Sequence, residues 1–181
     1  MTEPSRIAVL RAVNVGGRSM PMADLRAMAS AIGLEDVRTL LQSGNLVFRG
    51  GPPAEAALEQ KLEEAIQQAF GYFADCLVRD VAEWDAIIAH NPFPDEAAKD
   101  PGRLIVMPMK AKVTAAGLEA LRAAIKGPEY VEAWNRAAYL VYPRGSGESK
   151  MTIRVIERCL GSIGTGRNWN TMQKLATLAK A

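Results

Sequence analysis

The stretch "VRTLLQSGNLVFRG", residues 37–50, decides how the first half of the chain folds. It contains two runs rich in Val, Leu and Phe, one on each side of Ser43 and Gly44. Two such runs around a short Gly-containing turn are typical of a β-hairpin. The stretch therefore predicts two antiparallel strands joined by a tight turn.

A helical pattern lies on each side of this hairpin, and a strand pattern lies beyond each helix. The first helix is predicted over 21–33 and the second over 58–71, since apolar residues recur at helical spacing and each segment ends at a glycine. "RIAVLRAVNV" (6–15) and "FADCLVRD" (73–80) are the outer strands. Asp80 and Glu83 then suggest the capping box of a short extra helix.

The second half repeats this order. "RLIVMPMK" (103–110) predicts a strand, Leu118 to Ile125 a helix, and "EYVEAWN" with "AAYLVYP" a second hairpin. A helix from about Ser149 to Leu160, a short strand in "SIGTGRN" and a final helix follow. The order βαββαβ, found twice, predicts an α+β fold of two ferredoxin-like subdomains in tandem, each with an extra helix, which suggests an internal duplication.

The predicted boundaries are 1–92 for the first subdomain, 93–102 for a Pro-rich and charged linker, and 103–181 for the second subdomain. "IAVL" (7–10) is apolar at both alternating positions, so both faces of this strand are expected to be covered. A single ferredoxin-like sheet has helices on only one face. We therefore expect the two subdomains to pack as one compact unit.

Composition and charge narrow the functional classes to which this protein can belong. The 181 residues carry a net charge of +2, and acidic and basic residues alternate along the helices. This pattern disfavours an electrostatic nucleic-acid binder, which usually has a clustered basic face. There is no apolar run of bilayer length and no signal-peptide pattern, and Cys76 and Cys159 have no metal or redox spacing. We expect a cytoplasmic protein that does not associate with membranes.

Catalytic signals are sparse. His90 is the one histidine, at a predicted helix end, where it either stabilises the helix terminus or acts in catalysis. No motif for a metal site is present, so none is predicted. Catalytic residues, cofactors and oligomeric state do not follow from these patterns.

The Gly-rich stretch "YLVYPRGSGESK" (139–150) is a first candidate binding site. A strand, a flexible loop and a helix N-terminus together present free N–H groups to an anion. Arg144 supplies a further donor, and the candidate ligand-binding residues are Gly145, Gly147, Ser149 and Lys150. The alternative is purely structural, with a glycine turn and Ser149 as the helix cap.

"RAVNVGG" (11–17) and "QSGN" (42–45) are further candidates, because both are polar, Gly-containing loops that follow strands. Arg11 interrupts an apolar strand and needs either a structural partner or a ligand. The alternative for both stretches is turn chemistry, in which Asn and Gly accept left-handed conformations. The candidate residues are Arg11, Asn14, Gly16, Gly17, Gln42, Ser43 and Asn45.

"GTGRNWNT" (164–171) precedes the last helix. Asn170 with Gln173 fits an N-cap, and Trp169 is either an apolar anchor or a stacking platform. Arg167, Asn168 and Asn170 complete the candidate ligand residues. If the preceding strand returns antiparallel to its helix, Arg167 arrives near Lys150, and both could hold one anion.

Five stretches occur in an order that resembles the bacterial family known as domain of unknown function 1697. They are "LRAVNVGG", "LLQSGNLVF", "HNPFP", "GSGESKM" and "TGRNWNTMQKLA". The family typically reads RGINVGG where this chain has Ala12 and Val13, and often has an aromatic residue at the position of Leu40. The resemblance implies two related α+β subdomains and assigns no activity.

The sequence as a whole favours a protein that binds a small anionic ligand in a polar pocket rich in Gly, Arg and Asn, either as a binding protein or as an enzyme of unknown reaction. One alternative is a module that binds single-stranded nucleic acid, with Phe48, Tyr139 and Tyr142 as stacking residues. Another is an interaction or scaffold protein, which requires an exposed apolar patch.

Overall fold

Residues 3–181, which a computed structural model describes, form eight strands and seven helices. The strands are β1 (Arg6–Leu10), β2 (Glu35–Thr39), β3 (Asn45–Arg49), β4 (Cys76–Asp80), β5 (Leu104–Pro108), β6 (Tyr130–Trp134), β7 (Ala137–Val141) and β8 (Arg167–Asn168). The helices are α1 (Met22–Ala31), α2 (Glu55–Phe70), α3 (Val81–Ala89), α4 (Pro94–Lys99), α5 (Ala115–Ala124), α6 (Ile153–Leu160) and α7 (Trp169–Lys180).

The strands form two four-stranded antiparallel sheets with the same internal order. The first sheet is ordered β2-β3-β1-β4 and the second β6-β7-β5-β8. In each sheet, a helix connects the first strand to the hairpin and another connects the hairpin to the last strand, which is the split βαβ arrangement of ferredoxin-like domains. The predicted fold class, α+β with two similar ferredoxin-like subdomains, is confirmed.

The chain divides into two compact units. Unit 1 comprises residues 1–85 and 175–181, and unit 2 comprises 86–174. The boundaries predicted from the sequence differ from these units at 86–92 and 175–181, and they stay a prediction. The predicted linker contains helix α4, which begins at Pro94, since proline is well suited to the first turn of a helix.

The core of unit 1 lies between its sheet and helices α1 and α2. Leu25 of α1 and Leu62 of α2 pack with Phe48 of β3, and all three side chains are fully buried. Residues Ile7, Ala8, Val9 and Leu10 of β1 are also fully buried, as the apolar run predicted.

Unit 2 has an equivalent core against α5 and α6. Leu121 and Ile156 of these helices pack with Val131 and Leu140 of the hairpin. Pro108 ends β5, and the carbonyl of Pro108 accepts a hydrogen bond from the Thr165 N–H. Because proline has no N–H to return, pairing on this side is reduced to β8 and a single bridge between Met109 and Gly164.

Two elements are shorter than the sequence predicts. The first strand ends at Leu10 rather than Val15, because Ala12 and Asn14 adopt positive φ angles of 56° and 52°, which a strand does not accommodate. The strand expected in "SIGTGRN" is limited to Arg167 and Asn168. Among the helices of residues 3–181, none has both the length and the apolar character that crossing a bilayer requires.

Candidate functional site

The loop that follows β7 forms one wall of a polar cleft in unit 2. The cleft has a volume of about 250 Å³ and is lined by Lys126, Gly127, Pro128, Glu129, Arg144, Gly145, Glu148, Ser149 and Lys150. Its two walls are brought together by the β6–β7 hairpin, in which Tyr130 pairs with Val141. Residues before β6 therefore face residues after β7.

A hydrogen-bonded pair joins the two walls of the cleft. The Ser149 hydroxyl donates to the Glu129 carboxylate at 2.6 Å and accepts from the Met151 N–H at 3.0 Å. The bond from Ser149, with a smaller contribution from the nearby Arg144 charge, lowers the pKa of Glu129 below its ordinary value. Glu129 is thus held in its ionised form, and Ser149 is held in one orientation.

Ser149 does not cap the following helix, so this part of the structural alternative was wrong, whereas the turn at Gly145 is present. Helix α6 begins at Ile153, and its N-cap is Thr152, whose side chain accepts from the Val155 N–H. Ser149 is occupied by Glu129 and Met151, whereas Thr152 directly precedes the apolar helical run. The N–H groups of an α6 N-terminus at Ser149, which the sequence suggested as anion donors, are absent from the cleft.

Asn168 and Asn170 in the stretch "GRNWN" have different roles from those predicted from the sequence. The Asn168 side chain accepts from the Thr171 N–H at 3.0 Å, so Asn168 caps α7. The predicted cap, Asn170, is exposed and lies inside the first turn, because α7 begins one residue earlier, at Trp169. Trp169 is buried, with 7% of its surface exposed, as expected of an apolar anchor.

Arg167 is a buried strand residue. It pairs with Val106 of β5, and its guanidinium donates to the Thr165 hydroxyl and to the Gly166 carbonyl. Burial lowers the pKa of Arg167 to about 10. Arg167 is not among the residues that line the cleft beside Lys150, so the proposed convergence of these two residues stays a prediction without structural support.

In unit 1, the loops "RAVNVGG" and "QSGN" lie against each other. The Asn14 side-chain amide donates to the carbonyls of Met20 and Gln42, and its oxygen accepts from the Met20 N–H. Gly16 and Gly17 have positive φ angles, as the sequence suggested, and are exposed. Gln42 and Ser43 are also exposed, so these four residues are available to solvent at one end of the first sheet.

Gly44 is required where these loops meet. A β-carbon at this position would lie 2.6 Å from Val13 Cγ2 and 2.9 Å from Leu10 Cβ, and the φ angle is +79°. Left-handed conformations occur at Gly44 and Leu41, whereas Asn45 belongs to β3 and is fully buried. The Asn45 amide donates to the Leu40 carbonyl and the Ser43 hydroxyl, so it shapes the turn from inside.

Arg11 and His90 each have a structural partner. The Arg11 guanidinium lies 3.7 Å from the Asp75 carboxylate, and the backbone N–H of Arg11 donates to the Asp75 carbonyl. The His90 ring stacks on Trp134 with centroids 3.8 Å apart, and His90 Nδ1 lies 2.8 Å from the Ala86 carbonyl oxygen. For His90 this matches the alternative in which the ring stabilises a helix end.

The candidate ligand-binding residues predicted from the sequence therefore do not form one site. Gly145, Ser149 and Lys150 line the unit 2 cleft, whereas Gly147 lies in the same loop without lining it. Arg11, Asn14, Gly16, Gly17, Gln42, Ser43 and Asn45 belong to the unit 1 loops. Within residues 3–181, no three His, Cys, Asp or Glu side chains converge as a metal site would require.

Sequence reasoning missed Lys126 and Glu129, which line the opposite wall of the cleft. They precede β6, more than a dozen residues from the Gly-rich loop, and no local motif marks them. The predicted hairpin could have identified them, since the residues before its first strand must lie near those after its second.

The aromatic residues proposed for base stacking are buried. Phe48 and Tyr139 are fully buried and Tyr142 is 6% exposed. The Tyr139 hydroxyl donates to the Ile87 carbonyl and the Tyr142 hydroxyl to the Met151 carbonyl. These three rings cannot stack on a base in this structure, so the residues named for a nucleic-acid interface do not form one.

Comparison with known proteins shows the family of the chain and a solved structure with a similar fold. None of the curated proteins matches its sequence. Among solved structures, it is similar to a conserved bacterial protein from Streptococcus pneumoniae, with a TM-score of 0.77 and 19% sequence identity over 98% of this chain and 99% of that one. At this identity the likeness concerns the fold. The family model described as "Protein of unknown function (DUF1697)" matches residues 4–139, and the chain therefore belongs to this family.

Proposed function

We propose that this protein binds a small anionic ligand in the unit 2 cleft. The proposal rests on one observation, which is that three basic side chains, Lys126, Arg144 and Lys150, line the same cleft from two separate segments of the chain. Two glutamates, Glu129 and Glu148, also line it. Three positive and two negative side chains leave one net positive charge, which favours an anion.

The size and exposure of the cleft limit the ligand. A volume of about 250 Å³ lies below the range of about 300–1,000 Å³ usual for sites that enclose drug-sized molecules. Inorganic phosphate, a small phosphate ester or a short dicarboxylate is of suitable size. All three basic side chains are exposed, so affinity is expected to fall as salt concentration rises.

Isothermal titration of the full chain with inorganic phosphate, small phosphate esters and dicarboxylates tests this proposal. Lys150→Ala and Arg144→Ala should each weaken binding by about tenfold or more, because a charge-assisted hydrogen bond contributes about 1.5–3 kcal/mol. Lys112→Ala removes an exposed lysine that does not line the cleft and is the matched control. Equal binding by Lys150→Ala and Lys112→Ala would rule out the cleft as the site.

A cytoplasmic location remains part of this proposal, since both cysteines are free thiols, the state favoured in reducing compartments.

A further inference from the structure

One of the two carboxylates in the unit 2 cleft has no role in the fold. Oε1 of Glu129 accepts the Ser149 hydroxyl, and Oε2 of Glu129 fills the space beside Gly127, where a β-carbon would lie 2.5 Å away. Glu148 lines the cleft and is exposed, and within residues 3–181 its side chain forms neither a hydrogen bond nor an ion pair. Glu148 is therefore the carboxylate that remains available to a ligand.

The basic side chains of the cleft are available in the same way. In the described part of the chain, Lys126, Arg144 and Lys150 form no side-chain hydrogen bond and no ion pair. Arg144 and Lys150 lie on either side of Glu148 in one short loop, yet neither pairs with its carboxylate. The cleft thus presents charges of both signs that do not neutralise one another by direct contact.

The loop that carries Glu148 is fixed by its neighbours. The Gly145 N–H donates to the Tyr142 carbonyl at 2.8 Å, and the Ser149 N–H donates to the Ser146 carbonyl at 3.3 Å. The Ser149 hydroxyl also ties the loop to the opposite wall of the cleft. Because Glu148 directly precedes this anchored serine, its backbone is held at the cleft before any ligand binds, which lowers the entropic cost of binding.

We propose that the ligand of this cleft carries an ammonium group in addition to its anionic groups, and that the Glu148 carboxylate binds this ammonium. The inference rests on the anion binding proposed above. A molecule with two negative charges and one positive charge has a net charge of about −1, which complements the net charge of the cleft. Aminoalkyl phosphates and acidic amino acids share this chemistry.

Glu148 then determines specificity in two ways. Its carboxylate accepts hydrogen bonds from an ammonium, which is a donor-only group. The same carboxylate repels a ligand that has only negative charges, and such repulsion is a common source of discrimination between similar ligands. Of two anions of similar size, the cleft is therefore expected to favour the one that bears an ammonium.

Isothermal titration of the full chain with two matched pairs of probes tests this assignment. Ethyl phosphate and O-phosphoethanolamine differ only by an ammonium group, as do glutarate and glutamate. In at least one pair, the probe with the ammonium should bind the wild-type chain about tenfold more tightly or better, because it gains a charge-assisted hydrogen bond. A preference in the phosphate pair identifies aminoalkyl phosphates as the ligand class, and one in the carboxylate pair identifies acidic amino acids.

Glu148→Gln should abolish the preference without weakening the binding of ethyl phosphate or glutarate, and Glu148→Lys should reverse it. Because the Glu148 side chain is exposed and has no partner within residues 3–181, both variants should fold, which circular dichroism verifies. Glu35→Gln on β2 removes an exposed carboxylate outside the cleft, with the same change of net charge as Glu148→Gln, and should keep the wild-type preference.

The outcomes separate this inference from the proposal on which it rests. Equal affinity of the wild-type chain for both members of each pair overturns the ammonium assignment and leaves the anion site in place. A preference that persists in folded Glu148→Gln, or that Glu35→Gln also loses, overturns the role of Glu148. If none of the four probes binds, the anion site itself is contradicted, and this inference fails with it.

Discussion

A single hydrogen bond at the start of α7 decides between the roles of Asn168 and Asn170. Both asparagines flank Trp169, and each is followed three residues later by a polar residue, so both fit a capping pattern from the sequence alone. The hydrogen bond from the Thr171 N–H selects Asn168. A residue that the sequence offered as a ligand contact is thereby explained by the start of α7.

Replacing Asn168 by Ala should lower the free energy of unfolding by about 1 kcal/mol, because the Thr171 N–H loses its acceptor. Asn170→Ala, which removes an exposed side chain from the first turn, should change stability by less than about 0.5 kcal/mol. Urea denaturation of both variants measures the difference. Equal losses would show that Asn168 is not the cap.

The Ser149–Glu129 pair gives a pH-dependent prediction. Because Ser149 lowers the pKa of Glu129 in the folded chain, the ionised pair stabilises the fold above the ordinary pKa of glutamate, and this contribution is lost as pH falls through the lowered pKa. Ser149→Ala should raise the pKa of Glu129 towards its ordinary value. Carbon-13 NMR titration of the carboxyl group measures this change.

Ser146→Ala is the control for this titration, since the Ser146 side chain is exposed and Glu129 accepts from Ser149 instead. An identical Glu129 titration in wild-type and Ser149→Ala chains would mean that the hydrogen bond does not set the pKa.

At the scale of elements, α2 does more than cover the first sheet. Glu59 and Glu63 are one helical turn apart and accept successive outward N–H groups of β4, which occur two residues apart along the strand. The helix and the strand edge are thus joined by side chains at matched spacing. This arrangement protects the edge and fixes the register of α2.

Glu63→Leu should therefore destabilise the chain by about 1–3 kcal/mol, since it leaves the Cys76 N–H without its carboxylate acceptor. Glu64→Leu, at the neighbouring exposed position, should have an effect within about 0.5 kcal/mol. Denaturant titration compares the two. A larger loss for Glu64→Leu would contradict the role given to Glu63.

The elements also show what sequence reasoning can and cannot reach. Both hairpins and the four helices that connect them to the outer strands were predictable, because apolar runs and glycine stops are local signals. Helix α4 was missed, since six residues rich in charge and proline carry too little periodicity. In the cleft, Ser149 and Lys150 belong to a Gly-rich motif that the sequence shows. Lys126 and Glu129 are brought to the cleft only by the pairing of β6 with β7. Contacts made through tertiary pairing leave no local pattern.

In the whole molecule, the last residues, 175–181, are placed differently by the subdomain boundaries predicted from the sequence and by the two compact units of the structure. The sequence assigned 175–181 to the second subdomain, whereas the contacts in the structure group them with unit 1. Three of these residues, Leu175, Ala176 and Ala179, are buried. Their removal should therefore expose apolar surface of unit 1.

Hydrogen–deuterium exchange on a chain truncated after Lys174 measures this effect. We expect faster exchange in residues 3–85 than in the full-length chain, and a smaller change in residues 86–174. Lys180→Ala removes only the exposed ion pair with Asp85 and should leave exchange almost unchanged. Faster exchange mainly in 86–174 would instead support the boundary drawn from the sequence.

The stacked pair of His90 and Trp134 gives the protein an intrinsic optical reporter. Of the three tryptophans, Trp84 is fully buried and Trp169 nearly so, while Trp134 is partly accessible and lies against the one imidazole in the chain. Any movement that separates the two rings changes the surroundings of the Trp134 indole and therefore its emission. Fluorescence therefore follows the junction of α3 and β6 without any added label.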